Sequence, residues 1–191
     1  MQITELTITL LDTHPAVVRT VETPVTLSLE NLHVTLQAAF GWDDAHLYQF
    51  CVGAPYQMDG MKWVSPHFQE PGEVATTDAT LEQALQQSGQ DGLTYLYDFG
   101  DDWVHDIQAG PVKKADPTKT YPRLTDVQNT CPPEDIGGAP GFHMFKEAMA
   151  DPKHPEHAEM KDWFGGKYNP EKPKVKALQS AVAKVAKHIV I

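Results

Sequence analysis

One stretch of this chain, residues 95–107, constrains the fold more than any other. It reads YLYDFGDDWVHDI, and large side chains alternate with other residues on both sides of a Gly-Asp-Asp turn signal. Such alternation is typical of strands with one buried face, so the stretch predicts a β-hairpin. A two-residue loop suits the glycine but mixes the faces, so we favour a three-residue loop that keeps six large side chains on one face. These six are Tyr95, Tyr97, Phe99, Trp103, His105 and Ile107.

The periodicity of the remaining chain predicts an α+β fold. We expect a mostly antiparallel sheet of about five or six strands with helices packed on one face, plus C-terminal helices. Residues 53–77 are rich in proline, glycine and polar side chains, which predicts a long loop with room for one short strand. Further strands are expected at residues 2–11, 16–22, 46–52 and 121–126, and helices at 28–40, 79–87, 139–150 and 155–164.

The C-terminal segment reads as a unit of its own. We predict one α+β domain over residues 1–169 and a lysine-rich amphipathic helix over 170–191. The apolar residues of this helix step by three and four, which is typical of a helix–helix seam. The helix could dock on its own domain or pair with a second copy of the chain, and the sequence leaves both open. The seam residues are Val175, Leu178, Val182, Val185 and Ile189.

Charge and hydropathy exclude several functional classes. The net charge of −11 argues against a general nucleic-acid binder, so we expect such contact only through the lysine-rich C-terminal segment. No apolar run approaches the roughly 18 residues of a membrane span, and we expect no membrane contact. The alternating, acidic first ten residues predict a strand rather than a signal peptide, so we expect a cytoplasmic location.

Three segments place histidine or carboxylate beside aromatic residues. If the strands that carry His46 and His105 are neighbours, the two imidazoles could converge with an aspartate of the hairpin, and the acids of a proline- and glycine-rich loop could cap them. We predict a metal site of His46, Asp98, His105 and Glu134 for a divalent ion such as zinc or manganese, with iron also possible on chemical grounds. The full candidate set is His46, Asp98, Asp101, Trp103, His105, Glu134 and Asp135.

The same residues also have structural interpretations. No His-x-x-x-His, His-Glu-x-x-His or calcium-loop pattern is present. Aspartates are common in turns, where they accept backbone N–H bonds, and a histidine or tryptophan on a sheet face is commonly a core residue. A metal-free alternative uses His105 as a general base tuned by Asp98 or Asp106. The sequence leaves these alternatives open.

Three blocks of sequence carry a resemblance to a known family. They are GWDDAHLYQF at 41–50, YDFGDDWVHDI at 97–107 and CPPEDIGGAPGFHMFKEAMADPKHPEHAEMKDWFGG at 131–166. In order and spacing the chain resembles the plasmid pRiA4b ORF-three-like family, whose relatives include passenger proteins of bacterial insertion elements. The resemblance reaches to about Pro170 and implies a compact α+β domain, but no reaction. The chain departs from the family pattern in keeping one arginine, Arg19, and no tryptophan in the second strand, and in having Ile136 where many members have a cysteine.

We carry three hypotheses for function. The first is a non-enzymatic binding or accessory module, with a protein partner or self-association through the C-terminal helix, beside the machinery of a mobile element. The second is a metal-dependent hydrolase, in which the ion lowers the pKa of a bound water and generates the nucleophile. The third is a scaffold held together by a structural metal.

Overall fold

A single sheet and five helices make up the regular structure in the part of the chain that the computed structural model describes, residues 1–57, 60–89 and 92–189. Two short 3₁₀ turns, Pro66–Phe68 and Thr76–Asp78, lie in the connection before the second helix. The strands are β1 Gln2–Leu10, β2 Val17–Pro24, β3 Tyr48–Cys51, β4 Lys62–Val64, β5 Val74–Ala75, β6 Gly92–Tyr97, β7 Trp103–Ala109, β8 Lys113–Lys114 and β9 Arg123–Gln128. The helices are α1 Leu29–Phe40, α2 Leu81–Ser88, α3 Gly138–Ala150, α4 His157–Phe164 and α5 Val175–His188.

The sheet confirms the predicted mostly antiparallel α+β architecture. Its strand order is β5-β4-β3-β6-β7-β1-β2-β9, and β8 pairs with the N-terminal end of β1. The β4–β5 pair is parallel, and the other described pairs are antiparallel. The order places β6 between β3 and β7, which decides how the candidate residues are distributed.

The strand count is higher than predicted. We expected about five or six strands, and the described residues contain nine. Three strands have only two or three residues each: β4 is the short strand allowed for in residues 53–77, and β5 and β8 are additional. Strands this short show no alternation that periodicity could detect, and they form because a neighbouring strand offers free backbone groups.

Helix α1 forms where its sequence predicts. The Ser28 side chain accepts the N–H of Asn31 and caps the helix, and Gly41 ends it in the left-handed conformation. The apolar stripe of α1 is fully buried against the sheet, and the capping box predicted for α2 is formed by Thr80 and Gln83.

The central hairpin has a different loop from the one predicted. The structure pairs Tyr97 with Trp103 and Tyr95 with His105, so the loop has five residues, 98–102, rather than three. A shift of two residues keeps each side chain on its face, and five of the six predicted side chains are buried. Phe99 leaves the buried face because it lies within the loop.

Helix α5 packs on the body of the domain. Val182 is fully buried, and the helix contacts α1 and β9. Leu178 lies against Gly41 at the end of α1, and the Gln179 side chain donates to the carbonyl of Leu124 in β9. Self-association through this helix and the predicted boundary at residue 170 stay predictions. Within the described ranges, no helix combines the length and apolar character needed to cross a bilayer.

Candidate metal site

Three connecting segments meet at one end of strands β3, β6 and β7. They are the 42–47 connection before β3, the 98–102 turn of the central hairpin, and residues 131–137 before α3, which we call the CPPED loop. The Trp42 indole donates to the carbonyl of Pro132 at 3.0 Å, and the N–H of Gly137 donates to Asp101 Oδ2 at 3.1 Å. These bonds tie all three segments together, because the N–H of Asp98 also donates to Leu47.

The imidazole of His46 lies at the centre of this junction. Its Nε2 is 3.0 Å from Asp135 Oδ1, 3.6 Å from Asp98 Oδ2 and 3.8 Å from Glu134 Oε2. Neither His46 Nε2 nor Glu134 Oε2 has a hydrogen-bond partner, although both atoms are shielded from solvent. Two shielded ligand-type atoms therefore lie 3.8 Å apart without a hydrogen-bond partner, which is uncommon for buried polar atoms.

Two of the carboxylates are held in place through their other oxygen. Asp98 Oδ1 accepts the N–H groups of Gly100 and Asp101 at 2.9 and 3.3 Å. Glu134 Oε1 accepts the N–H of Asp43 at 2.8 Å and the hydroxyl of Tyr97 at 3.0 Å. Anchoring one oxygen leaves the second directed at His46, which is the arrangement that outer hydrogen bonds give to metal-binding carboxylates.

The charge of this cluster favours a cation. Three ionised carboxylates carry three negative charges, and a protonated His46 would neutralise only one of them. Burial raises the pKa of Glu134, partly offset by the N–H of Asp43 and the hydroxyl of Tyr97. The cost of keeping this carboxylate charged in the cluster is what a divalent ion would remove.

The distances match those between ligands of a small divalent ion. The ligand atoms of His46, Asp98 and Asp135 all lie within 4.8 Å of one another. A tetrahedral ion with bonds of about 2.1 Å has ligands about 3.4 Å apart, and the three distances from His46 Nε2 lie on both sides of that value. The atoms that meet this limit belong to one imidazole and two carboxylates, a set that suits zinc or manganese, and Glu134 lies beside them.

Four of the seven candidate residues come together and three do not. His46, Asp98, Glu134 and Asp135 form the cluster. Asp101 is an anchor, since its carboxylate accepts from the CPPED loop instead of facing His46. Trp103 is a core residue, 1% exposed, whose ring lies 6.1 Å from that of Trp42.

The predicted ligand His105 lies outside the cluster. The predicted convergence requires the strands of His46 and His105 to be neighbours, but β6 pairs with both β3 and β7 and separates them. His105 is fully buried, and its ring packs on Phe40, Trp42 and Tyr95. Burial lowers its pKa to about 3, so it is a neutral core residue and not an accessible general base.

Sequence reasoning missed the role of Tyr97. Its hydroxyl accepts the N–H of Ala45 at 3.1 Å and donates to Glu134, and its ring meets that of His46 edge to face. The alternation correctly predicts that Tyr97 lies on the buried face, but its hydroxyl reaches the end of the sheet. The signal for this was its position at the last residue of β6, directly before the turn that carries Asp98.

A cavity of about 300 Å³ opens beside His46. His33 lies in its wall, with Nε2 at 2.7 Å from Asp44 Oδ1 and Nδ1 at 2.8 Å from the Tyr95 hydroxyl. Its ring stacks on Tyr48 with 3.4 Å between the ring centres. His67, Ser65 and Glu30 also line the cavity, so it holds several groups able to accept or donate protons next to the cluster.

Comparison with known proteins identifies the family. The family model described as plasmid pRiA4b ORF-3-like protein matches residues 2–177. The chain belongs to this family. The match extends past Pro170 into the first turn of α5, further than the three blocks of sequence indicated.

Individual relatives agree with this assignment. The chain is 38% identical over 164 residues to the uncharacterized protein y4hQ of Sinorhizobium fredii (strain NBRC 101917 / NGR234), covering 85% of this chain and 81% of the relative. It resembles the crystal structure of MM3350, a protein of unknown function from Methanosarcina mazei Go1, with a TM-score of 0.79 and 24% identity. That likeness covers 90% of this chain and 94% of the other, and it supports the fold alone.

Proposed function

We propose that this protein binds one divalent metal ion, zinc or manganese, through His46, Asp98, Glu134 and Asp135. The observation that carries the proposal is the position of His46 Nε2, which lies among three carboxylate oxygens and forms a hydrogen bond with none of them. A protonated histidine would normally donate to one of these acids. An ion between them gives the ligand atoms of His46, Asp98 and Asp135 a common partner and lies close to the unpartnered Glu134 Oε2.

The hydrogen bonds around the cluster support the proposal. Asp98 and Glu134 are each oriented by two donors on the oxygen that does not face His46. Such outer bonds fix ligand geometry before the ion arrives, so little rearrangement opposes binding. Asp135 is different, because its side chain is 72% exposed and can close over the ion last.

The bound ion would join segments that are far apart in the sequence. His46 precedes β3, Asp98 begins the hairpin turn, and the two remaining ligands belong to the CPPED loop. Metal binding is therefore expected to stabilise the folded state, since the unfolded chain does not hold these ligands together. This role fits an accessory module or scaffold, and we retain a cytoplasmic location, a protein partner and the association with mobile elements as parts of the proposal.

A metal-dependent hydrolase is the second candidate. It is favoured by the 300 Å³ cavity that His46 shares with the His33–Asp44 pair, because a substrate there would lie beside the ion and beside a group able to move a proton. The exposed side of the cluster at Asp135 leaves room for water. In this case the ion would activate that water as a nucleophile.

Titration of metal-stripped protein with zinc and with manganese tests the main proposal. Calorimetry of the wild-type protein should show one site, and Glu134→Gln should bind at least about 100-fold more weakly, beyond the loss usual for an outer hydrogen-bonding residue. The matched control is Glu171→Gln, an exposed carboxylate outside the cluster, which should bind like the wild type. Equal affinities of wild type and Glu134→Gln would contradict the proposal.

The hydrolase candidate needs its own measurement. Metal-loaded protein is assayed on chromogenic esters and phosphodiesters, and His33→Asn is compared with the wild type at matched metal content. Loss of turnover with the metal retained supports catalysis in the cavity. Metal binding without turnover on any of these substrates leaves the structural role as the function of the ion.

A further inference from the structure

A second cavity lies at the start of the CPPED loop, whose later residues Glu134 and Asp135 belong to the acidic cluster. It has a volume of about 280 Å³ and is bordered by the end of α1, the start of the CPPED loop and the segment from the end of α4 to the start of α5. Its wall includes Phe40, Phe164, Tyr168 and Leu178, so much of the surface is apolar. This volume approaches that of small-molecule sites and exceeds the space needed for a single water or ion.

The cavity wall contains a buried arginine with an unused donor group. Arg19 is 0% exposed, and its Nε donates to the carbonyl of Ala39 at 2.8 Å. Its Nη1 donates to the carbonyls of Val18, Gln128 and Asn129 at 2.8 to 3.1 Å. Nη2 has no hydrogen-bond partner, although it is shielded from solvent.

No carboxylate balances the charge of this arginine at close range. Its hydrogen bonds within the described residues all go to backbone carbonyls, and Asp126 acts on it only as a longer-range charge. A buried charge without a counter-ion is costly, and a fully satisfied structural arginine would use both Nη groups. The position at the end of α1 explains part of the arrangement, because a cation is favourable at a helix C-terminus. The helix end does not explain why Arg19 Nη2 has no hydrogen-bond partner.

The rim of the cavity adds positive charge. Lys167, Lys172 and Lys174 line it and are exposed, and no Asp or Glu of the described residues lines it. In a chain with a net charge of −11, a cavity with four cationic side chains and no acid is a local reversal of sign. Such a cavity attracts anions and raises their local concentration.

We infer that this cavity binds a small organic anion, with a phosphate or carboxylate head facing Arg19 and the three lysines, and an apolar body against the aromatic wall. The unused Nη2 donors and the lysines select the acidic head, since guanidinium groups pair with such oxygens. The apolar wall favours an organic body over a free inorganic ion. This inference is independent of the metal proposal, because none of the four metal ligands lines the cavity.

Phenyl phosphate is the probe for the test, with metal-stripped full-length protein. Calorimetry and thermal unfolding at constant ionic strength should show saturable binding, and inorganic phosphate and benzyl alcohol should bind at least about 10-fold more weakly, since each lacks one half of the ligand. Binding of benzyl alcohol as tight as that of phenyl phosphate would overturn the role of charge. Equal binding of inorganic phosphate would overturn the organic component.

Two lysine variants separate the cavity from general charge attraction. Lys167→Ala/Lys172→Ala should bind phenyl phosphate at least about 10-fold more weakly, because both rim charges are removed. The matched control, Lys176→Ala/Lys184→Ala, removes two exposed lysines of α5 that lie outside the cavity and should bind within twofold of the wild type. Equal loss in both pairs, or saturable binding in neither the wild type nor the control, would overturn the inference.

Arg19→Lys addresses the guanidinium directly. It keeps the charge but removes the planar pair of donors. The variant should therefore bind phenyl phosphate more weakly than the wild type does at the same chloride concentration. Circular dichroism verifies that the variant is folded. If this variant does not fold, the lysine pairs decide the matter, since those side chains are exposed and their removal does not disturb the core.

Discussion

The two halves of the CPPED loop border regions of opposite charge, and each region contains buried polar atoms without a hydrogen-bond partner. In one region, Glu134 and Asp135 join His46 and Asp98 in an acidic cluster with an unpartnered Oε2 and an unpartnered Nε2. In the other, Arg19 faces a cationic cavity with an unpartnered Nη2. Buried polar atoms in folded proteins nearly always have partners, so each region is incomplete in a way that a ligand of opposite charge would repair.

The two regions differ in what their residues do for the fold. Arg19 donates to four backbone carbonyls from the end of α1, β2 and the end of β9, so it holds these elements together. His46 makes no hydrogen bond with the acids around its Nε2. Removing Arg19 would therefore leave buried carbonyls without a partner, whereas removing His46 would break no hydrogen bond of its Nε2.

The largest effect is expected from Arg19→Met in metal-free protein. It removes four hydrogen bonds from a charged donor and leaves buried carbonyls without a partner, so it should cost about 3 kcal/mol or more of the unfolding free energy. His46→Gln should change it by no more than about 0.5 kcal/mol under the same conditions. Urea denaturation measures both unfolding free energies, and equal losses in the two variants would contradict this difference between Arg19 and His46.

The two candidate histidines also differ in burial, because His105 is fully buried and His46 is only partly buried. Burial lowers the pKa of His105 to about 3 in the folded state, against about 6.5 when unfolded. Between these values the unfolded chain binds more protons, so stability is lost as pH falls from about 6.5 toward 3. This one residue should cost on the order of 3 kcal/mol between pH 7 and pH 4.

Urea denaturation across that range checks the prediction. His105→Leu should flatten the pH dependence, because leucine does not titrate. His143→Gln, an exposed histidine on α3, should keep the wild-type profile. An unchanged pH profile in His105→Leu would show that other groups cause the acid instability.

The junction of the hairpin turn and the CPPED loop can be opened by one methyl group. A Cβ at Gly138 would lie 2.5 Å from the carbonyl oxygen of Asp101, and its φ of +66° is unfavourable for alanine. Gly138→Ala should cost about 2 kcal/mol and weaken metal binding, because Asp98 and Glu134 lie on the two segments it separates. Gly166→Ala meets no atom within 4 Å and is the control.

Calorimetry and thermal unfolding of the two glycine variants measure both effects. The cavity around Arg19 should be less affected, so phenyl phosphate binding serves as an internal reference. If Gly138→Ala binds metal like Gly166→Ala, the ligands do not depend on this contact.

The smallest effect is expected from Glu134→Gln, whose change in unfolding temperature should have opposite signs with and without metal. Burial raises the pKa of Glu134, so the folded state holds its proton more tightly than the unfolded state, and stability is lost as pH rises through that window. Glu134→Gln should therefore raise the unfolding temperature of metal-free protein at pH 7, while Glu171→Gln leaves it unchanged. With zinc present, the wild type should be the more stable protein, because the variant lacks a ligand. A lower unfolding temperature of metal-free Glu134→Gln would contradict the account of this carboxylate.

The sequence predicts much of this cluster because turn chemistry is local. The neighbouring residues predict that these acids lie in loops at the ends of elements. Asp98 is two residues before Gly100, and Glu134 and Asp135 lie between prolines and glycines. His105 could not be excluded, because alternation gives the face of a strand but not its neighbour, and the position of β6 between β3 and β7 depends on the whole sheet. The same limit hides Arg19, whose partners come from α1 and β9, distant in sequence.

Diffraction from crystals soaked in zinc gives the most direct test of the metal site. An anomalous difference map should show one strong peak about 2.1 Å from His46 Nε2 and from oxygens of Asp98, Glu134 and Asp135. A map with no peak there, or with zinc only at exposed histidines such as His143, would contradict the proposal that this cluster binds a metal.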